Sequence, residues 1–378
     1  MKTSIYIHIP FCTSKCKYCD FASFPSKIDK QFEYFEALKK EIINFKKKKN
    51  LDVYTIYIGG GTPSLVNPKY IEEVLTQIKK SFSCDNIKEI SIEMNPNTVT
   101  RDKIQKYKKM GINRFSLGLQ TTNDKFLKKI GRVHTYAEFL ESVRLLKSEK
   151  VYNINVDLIY NLPNQKKEDV LVDIQRLAKL DIQHISFYSL TLMEGTPLYE
   201  ENLKGELQFP DEDEEREMYH CGIEELAKFG YNQYEISNFA KENFECLHNM
   251  VYWETKPYIG FGLGAYSYFE NNRFNNYDDF EKYIGSIQND KVPCDILKIE
   301  TIDYKEQVFE YLMLNLRMNS GLNVKKYEER FNEKISAGYL EIFDELINEK
   351  LLCKTNEGYK LTLKGIDLSN YVFEKIML

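Results

Sequence analysis

With 378 residues and a net charge of −5 from 52 basic and 57 acidic side chains, the chain is long enough for one α/β barrel plus an added domain, and it carries no basic excess to attract nucleic acid or anionic lipid. The opening "MKTSIYIHIP" has too short an apolar run for a signal peptide, and no stretch is long and apolar enough to span a bilayer, so a cytoplasmic protein without a transmembrane segment is expected. In that reducing compartment the eight cysteines speak against a disulfide framework.

In chain order, the β-branched and aromatic runs "SIYIHI", "VYTIYIGG", "EISIEMN", "RFSLGLQ", "YNINVDLIY" and "HISFYSLTL" read as strands. Segments 29–48, 68–81, 135–149 and 167–180 carry helical periodicity between them, so the order is βα repeated six times, which implies parallel strands with right-handed crossovers. Six units fall short of a closed barrel. The expectation is therefore an α/β fold with an incomplete (β/α)6 barrel over residues 1–235, open on one side to a large substrate. "LQFPDEDEEREMYH" (207–220) reads as a turn and then a helix start, with acidic residues in the first turn where the macrodipole favours them. The lysines 46–49 read as a solvated helix end. Residues 236–297 are expected to connect this barrel to a C-terminal domain, 298–378, with helices at 303–317, 324–331 and 336–350. The hairpin "LLCKTNEGYKLTL" follows, its Asn-Glu-Gly turn suited to left-handed angles. Three helices and a wing suggest a winged-helix-like unit. Its 12 basic and 14 acidic residues make DNA an unfavourable partner, and leave packing or a lid as its role.

Parallel barrels place their sites at the C-terminal ends of the strands, and there Glu93, Gln120 and Asp157 break the apolar pattern. "YIGGGTPS" (57–64) ends another strand in a glycine-rich loop. Each alone reads rather as a cap or a solvated loop residue. Together they ring one mouth.

The first loop carries Cys12, Cys16 and Cys19 as C-x3-C-x2-C, whereas Cys84, Cys221, Cys294 and Cys353 are scattered and read as small buried residues. A structural zinc needs four closed ligands, with His8 as the available fourth; three thiolates on one loop instead suit an iron-sulfur cubane with one open iron. With Tyr18 before the third cysteine, the motif resembles the radical S-adenosylmethionine (SAM) superfamily. The strings "YIHIPFC", "GGGTPS", "SIEMNP", "GLQ", "GRVH", "NVDLIYNLPNQ" and "YEISNFA" further resemble, in order and spacing, its oxygen-independent coproporphyrinogen III oxidase-like family. The resemblance implies a [4Fe-4S] cluster on the three cysteines, S-adenosyl-L-methionine chelating the open iron through its amino and carboxylate groups, and a reductant for the cluster. It places Tyr6 near the cofactor and Gly60, Gly61 and Thr62 beside its methionine moiety, where N–H groups exposed by the glycines would reach the carboxylate. Glu93, Gln120, Arg132 and Asp157 match polar contacts to the amine, ribose and other cofactor groups, and Tyr18 would face the adenine. "GFGLGA" (260–265) lacks the context of a dinucleotide site, so no NAD is expected.

Within that family the dehydrogenase branch has a fourth cysteine two residues after the third and an N-terminal extension. Here Asp20 and Phe21 follow Cys19, and the first strand begins within five residues of Met1. Both features point to the haem chaperone branch, with haem and a haem-accepting protein as partners, and coproporphyrinogen III dehydrogenase as the alternative. "CLHNMVYW" (246–253) matches that branch's HNxxYW signature. The resemblance makes His248, Asn249, Tyr252 and Trp253 haem-binding candidates, with His248 or Cys246 as axial ligand; as residues alone, they read rather as a satisfied core histidine with packing aromatics.

Overall fold

The computed structural model describes residues 2–377. The chain runs β1 (Lys2–Ile9), α1 (Gln31–Lys46), β2 (Asp52–Gly60), α2 (Pro68–Ser81), β3 (Glu89–Met94), α3 (Arg101–Met110), β4 (Arg114–Gln120), α4 (Asp124–Lys129), α5 (Tyr136–Ser148), β5 (Ile154–Tyr160), α6 (Lys167–Ala178) and β6 (His184–Ser189). There follow α7 (Pro197–Leu203), α8 (Glu212–Lys228), β7 (Asn232–Glu235), β8 (Asn238–Ala240), α9 (Leu247–Trp253), β9 (Tyr258–Phe261), β10 (Tyr266–Phe269), β11 (Asn272–Asn275), α10 (Phe280–Gln288) and β12 (Glu300–Thr301). The C-terminal part comprises α11 (Tyr304–Leu316), β13 (Leu322–Asn323), α12 (Val324–Phe331), α13 (Ala337–Asn348), β14 (Leu352–Lys354), β15 (Gly358–Leu361), α14 (Leu363–Asp367) and α15 (Ser369–Ile376).

Strands β1 to β6 pair in parallel in sequence order, as the six βα units require. The sheet has 12 strands in a linear order, so it does not close: β8 and β7 extend it antiparallel beyond β6, while β9, parallel to β1, leads into β10, β11 and β12 on the other side. Residues 236–297, expected as a connector, therefore supply sheet strands, and Phe239, Ile259, Phe261, Phe280 and Tyr283 join the main core. Two- to four-residue strands owe their existence to tertiary pairing, and no local pattern announces them.

The alternation within each barrel strand sorts side chains by face. Ile5, Ile7, Ile56, Ile58, Ile90, Ile92, Phe115, Leu117 and Val156 are buried in the core, while the intervening Ser4, Thr55, Glu89, Ser91, Arg114, Ser116 and Asn155 are buried and polar. The polar set meets inside the barrel: Thr55 donates to Ser4 at 2.7 Å, Ser91 to Glu89 at 3.1 Å and Asn155 to Ser116 at 2.7 Å. At the acidic run, Asp211 caps α8 with Glu214 in a reciprocal capping box.

The C-terminal unit has its own core, centred on Leu312, Leu316, Phe343, Leu346 and Val372, with a three-stranded sheet in the order β13-β15-β14. Its hairpin turn differs from the expectation. Neither Asn356 nor Glu357 has positive φ; instead the Thr355 hydroxyl accepts from the N–H groups of Glu357 at 3.2 Å and Gly358 at 3.0 Å.

Candidate functional site

A cavity of about 350 Å³ opens at the C-terminal ends of the barrel strands, where the loops after β1, β2 and β3 converge. Cys12, Cys16, Tyr18 and Cys19 line one wall. Burial pushes the thiols of Cys12 and Cys19 up, the latter to about 11, so both are protonated at neutral pH when they hold nothing. Gly60, Gly61, Thr62, Glu93, Gln120, Arg132 and Asp157 line the rest of the mouth, and Asn249 from α9 also lines the cavity. Tyr6 stands behind this wall, its hydroxyl donating to His8 Nδ1 at 3.1 Å.

The acidic pair is held from the strands. Glu93 accepts from the Tyr57 hydroxyl at 2.9 Å and the Gly60 N–H at 3.1 Å, and burial, reinforced by the nearby Asp157, raises its carboxyl to about 7. Asp157 accepts from Asn155 Nδ2 at 2.7 Å, and burial raises its carboxyl too. Gln120 sits at φ 81, a backbone region that non-glycine residues rarely use and that clusters at functional sites; the Tyr188 hydroxyl donates to its Oε1 at 3.2 Å. Arg132 donates through Nη2 to Asn95 Oδ1 at 2.8 Å and to the Gly118 carbonyl, and its Nη1 lies 3.6 Å from Cys16 Sγ.

The glycine loop works differently from the sequence expectation. Gly61 and Thr62 donate their N–H groups to the carbonyls of Ile9 at 2.8 Å and Phe11 at 2.7 Å, and the Gly60 N–H is taken by Glu93. None of the three is free for a cofactor carboxylate in this structure. The glycines are required instead by close approach: a Cβ on Gly61 would stand 2.8 Å from the Phe11 carbonyl and 3.0 Å from Cys12 Sγ. Sequence reasoning also missed Asn95, Ser116, Asn155 and Ser186, which line the same cavity. Their signal was the polar half of each strand's alternation.

The radical SAM superfamily pattern matches residues 6–177, and that of the HemN C-terminal domain matches 302–368. The chain is 38% identical to the heme chaperone HemW of Lactococcus lactis over 99% of this chain and 97% of the relative. It is 34% identical to the heme chaperone HemW of Bacillus subtilis over 98% of both. The chain belongs to the HemW family. Among solved structures, coproporphyrinogen III oxidase (HemN) from Escherichia coli superposes with a TM-score of 0.85 over 99% of this chain and 89% of that one, at 20% identity, a likeness of fold.

Membership of the radical SAM superfamily implies a [4Fe-4S] cluster with S-adenosylmethionine, and the donor chemistry here fits. Three free thiols share one wall of a cavity, with none of the other five cysteines beside them. Among the described residues no three His, Cys, Asp or Glu side chains stand ready around a single ion. A cubane does not require that, because its cysteines ligate different irons. His8 is unavailable as a zinc ligand: its Nε2–H donates to the Ala22 carbonyl at 2.8 Å and its Nδ1 accepts from Tyr6.

The HNxxYW helix of this HemW family member lies across the opposite, N-terminal end of the strands. Glu89, the first residue of β3, accepts from the N–H groups of Leu247 at 2.9 Å and His248 at 3.3 Å and from Cys246 Sγ at 3.5 Å, so a buried carboxylate caps α9. Thr55 gives its proton to Ser4 and accepts from His248 Nδ1–H at 2.7 Å; His248 Nε2 accepts from the Tyr252 hydroxyl at 2.9 Å. Both nitrogens are thus committed on a ring that is 1% exposed and held neutral, its pKa lowered to about 3 by burial and then by Arg114. Trp253 stacks under the Arg317 guanidinium at 5.2 Å, joining α9 to the C-terminal unit. In this structure His248, Tyr252 and Trp253 are packed against protein and form no open haem pocket; of the four candidates only Asn249 reaches the cavity. Cys246 is also fully buried, its thiol pushed up to about 12 by burial.

Proposed function

We propose that the chain is a haem chaperone on a radical SAM scaffold, binding haem and passing it to an acceptor protein. The observation that carries this reading is similarity along nearly the whole chain to proteins named heme chaperone HemW, with Asp20 and Phe21 standing where the dehydrogenase branch has its fourth cysteine. Cys12, Cys16 and Cys19 hold a [4Fe-4S] cluster, which supplies one-electron chemistry when reduced by a donor protein. S-adenosylmethionine, when bound, would be held beside these three cysteines. Glu93, poised near neutrality, would accept a hydrogen bond from the cofactor's amine; Asp157 and Gln120 would bind its hydroxyl and polar groups; Tyr18 would offer a ring face to the adenine. Arg132, fixed by Asn95 and Gly118, places positive charge beside Cys16. Gly60, Gly61 and Thr62 set the distance between the cysteine loop and the cavity.

A side-by-side assay tests the reading. Anaerobically reconstituted protein is given haem with a haem-free acceptor, or coproporphyrinogen III with reductant and S-adenosylmethionine. Stoichiometric haem binding and transfer without protoporphyrinogen IX is expected. Conversion of coproporphyrinogen without haem binding would replace this reading with the dehydrogenase.

A further inference from the structure

Arg114 opens β4 and is 1% exposed, yet it lines the cysteine-lined cavity. Its guanidinium forms neither a hydrogen bond nor an ion pair among the described residues, and its Nε is buried without a partner. A guanidinium stays charged at any working pH, and a buried charge that nothing pairs is costly. Three carboxylates stand close enough to act on it electrostatically, and each spends its oxygens elsewhere. Glu89 is taken by the Ser91 hydroxyl and the N–H groups of Leu247 and His248, Glu93 by Tyr57 and Gly60, and Asp157 by Asn155.

Two further donors line the same cavity. Ser116 lies two residues along β4 on the same inward face; its Oγ accepts from Asn155 Nδ2 at 2.7 Å, and its own O–H has no acceptor among the described residues. Asn249 comes from α9, across the N-terminal end of the strands, and its side-chain amide also forms no hydrogen bond among the described residues. Asn238, whose Nδ2 is spent on Glu235, offers the cavity only an acceptor and is no part of this donor set. Arg114 stands four residues before Gly118, about 13 Å along a strand, and it is Gly118 that meets Arg132 beside the cysteines. S-adenosylmethionine held at the cysteines therefore keeps its own carboxylate at the other end of the cavity. A volume of about 350 Å³ lies at the small end of ligand pockets, and the mouth must also take cluster and cofactor. A slender chain can reach the floor where a macrocycle cannot.

We propose that Arg114, Ser116 and Asn249 form a second anion site on the floor of this cavity, which takes a carboxylate carried on a slender chain, either a side arm of a tetrapyrrole or a free short-chain acid. The inference rests on the cysteine-lined cavity being the ligand-binding face and not on which ligand the chain carries. It also gives the HNxxYW helix a task. Glu89, Thr55 and Tyr252 fix α9 in place, and Asn249 is the side chain it presents to the ligand.

The test uses the anaerobically reconstituted full chain with S-adenosylmethionine present. Ferric haem and its dimethyl ester, which has the same ring with both carboxylates masked, are titrated through the Soret band, and succinate is titrated by calorimetry. A tetrapyrrole arm at this site predicts that haem binds at least about tenfold tighter than the ester and that Arg114→Gln removes the difference. A free acid predicts instead that haem and ester bind alike while succinate binds and Arg114→Gln abolishes it. Because a buried arginine can be needed for folding, Asn249→Leu provides a second variant, which changes only a cavity-facing side chain and should weaken the carboxylate-dependent binding by about tenfold. If wild type binds no haem, the chaperone reading fails and the succinate titration alone decides for or against this site. The proposal is overturned if wild type neither prefers haem to its ester nor binds succinate, or if such binding survives unchanged in the variants.

Discussion

The two ends of the barrel carry equally recognisable motifs and differ in how completely their polar groups are satisfied. At the mouth, thiols, carboxylates and an arginine face a cavity, and among the described residues Arg132 Nε and Asn238 Oδ1, both lining it, have no partner. At the α9 end, the Glu89 carboxylate, the Thr55 hydroxyl and both nitrogens of His248 are all engaged by protein. Residue types identify a motif, but spare hydrogen-bonding capacity distinguishes a ligand set from a lock.

That contrast can be broken at either end. Replacing Cys12, Cys16 and Cys19 together by alanine should abolish bound iron and sulfide, while the melting temperature of the cluster-free protein stays close to wild type, because the thiols' hydrogen bonds to protein are long sulfur contacts, Cys12 to Thr62 at 3.5 Å and Cys16 to Arg132 at 3.6 Å. Retained iron at wild-type level would break the assignment. Glu89→Ala should be the most destabilising single change, on the order of 3–5 kcal/mol by urea unfolding, since it strips the buried cap from α9 and leaves Arg114 without its nearby anion. A loss below about 1 kcal/mol would mean α9 is not locked. Asp157→Ala should weaken S-adenosylmethionine binding to the reconstituted protein by about 5- to 150-fold, roughly 1–3 kcal/mol, measured by calorimetry.

The smallest effect is a pH dependence. His248 is neutral in the fold, its pKa lowered from 6.5 to about 3, so the unfolded chain takes up the proton first as pH falls. Its contribution to stability is complete above pH 6.5 and is lost as pH falls from there toward 3, reaching about 0.8 kcal/mol by pH 6. His8, lowered to about 4 by burial, acts in the same direction. His248→Gln should flatten the stability profile over that range; an unchanged profile would show that His248 is not buried and neutral.

Much of the fold was legible because the barrel strands are long and their crossover helices periodic: all six strands and the helices expected at 68–81, 167–180 and 324–331 lie where the pattern placed them, the second ending at Ala178. The mouth was legible because Glu93, Gln120 and Asp157 interrupt apolar runs at strand ends. The barrel interior was not, since Ser4, Thr55, Arg114 and Asn155 alternate with apolar residues just as a solvent-facing strand would, and only the curved parallel sheet turns them inward. The same limit applied to "GGGT", whose glycines read as open N–H donors although Glu93 and the end of β1 occupy the Gly60 and Gly61 N–H groups.

The most direct test of the account is the electron paramagnetic resonance spectrum of the anaerobically reconstituted, dithionite-reduced protein with and without S-adenosylmethionine. If three cysteines hold the cluster and the fourth corner is open to the cofactor, a [4Fe-4S]+ signal should be present, should change shape on adding S-adenosylmethionine, and should be absent from the triple cysteine variant. A reduced-cluster signal indifferent to S-adenosylmethionine, or one that survives loss of Cys12, Cys16 and Cys19, would contradict it.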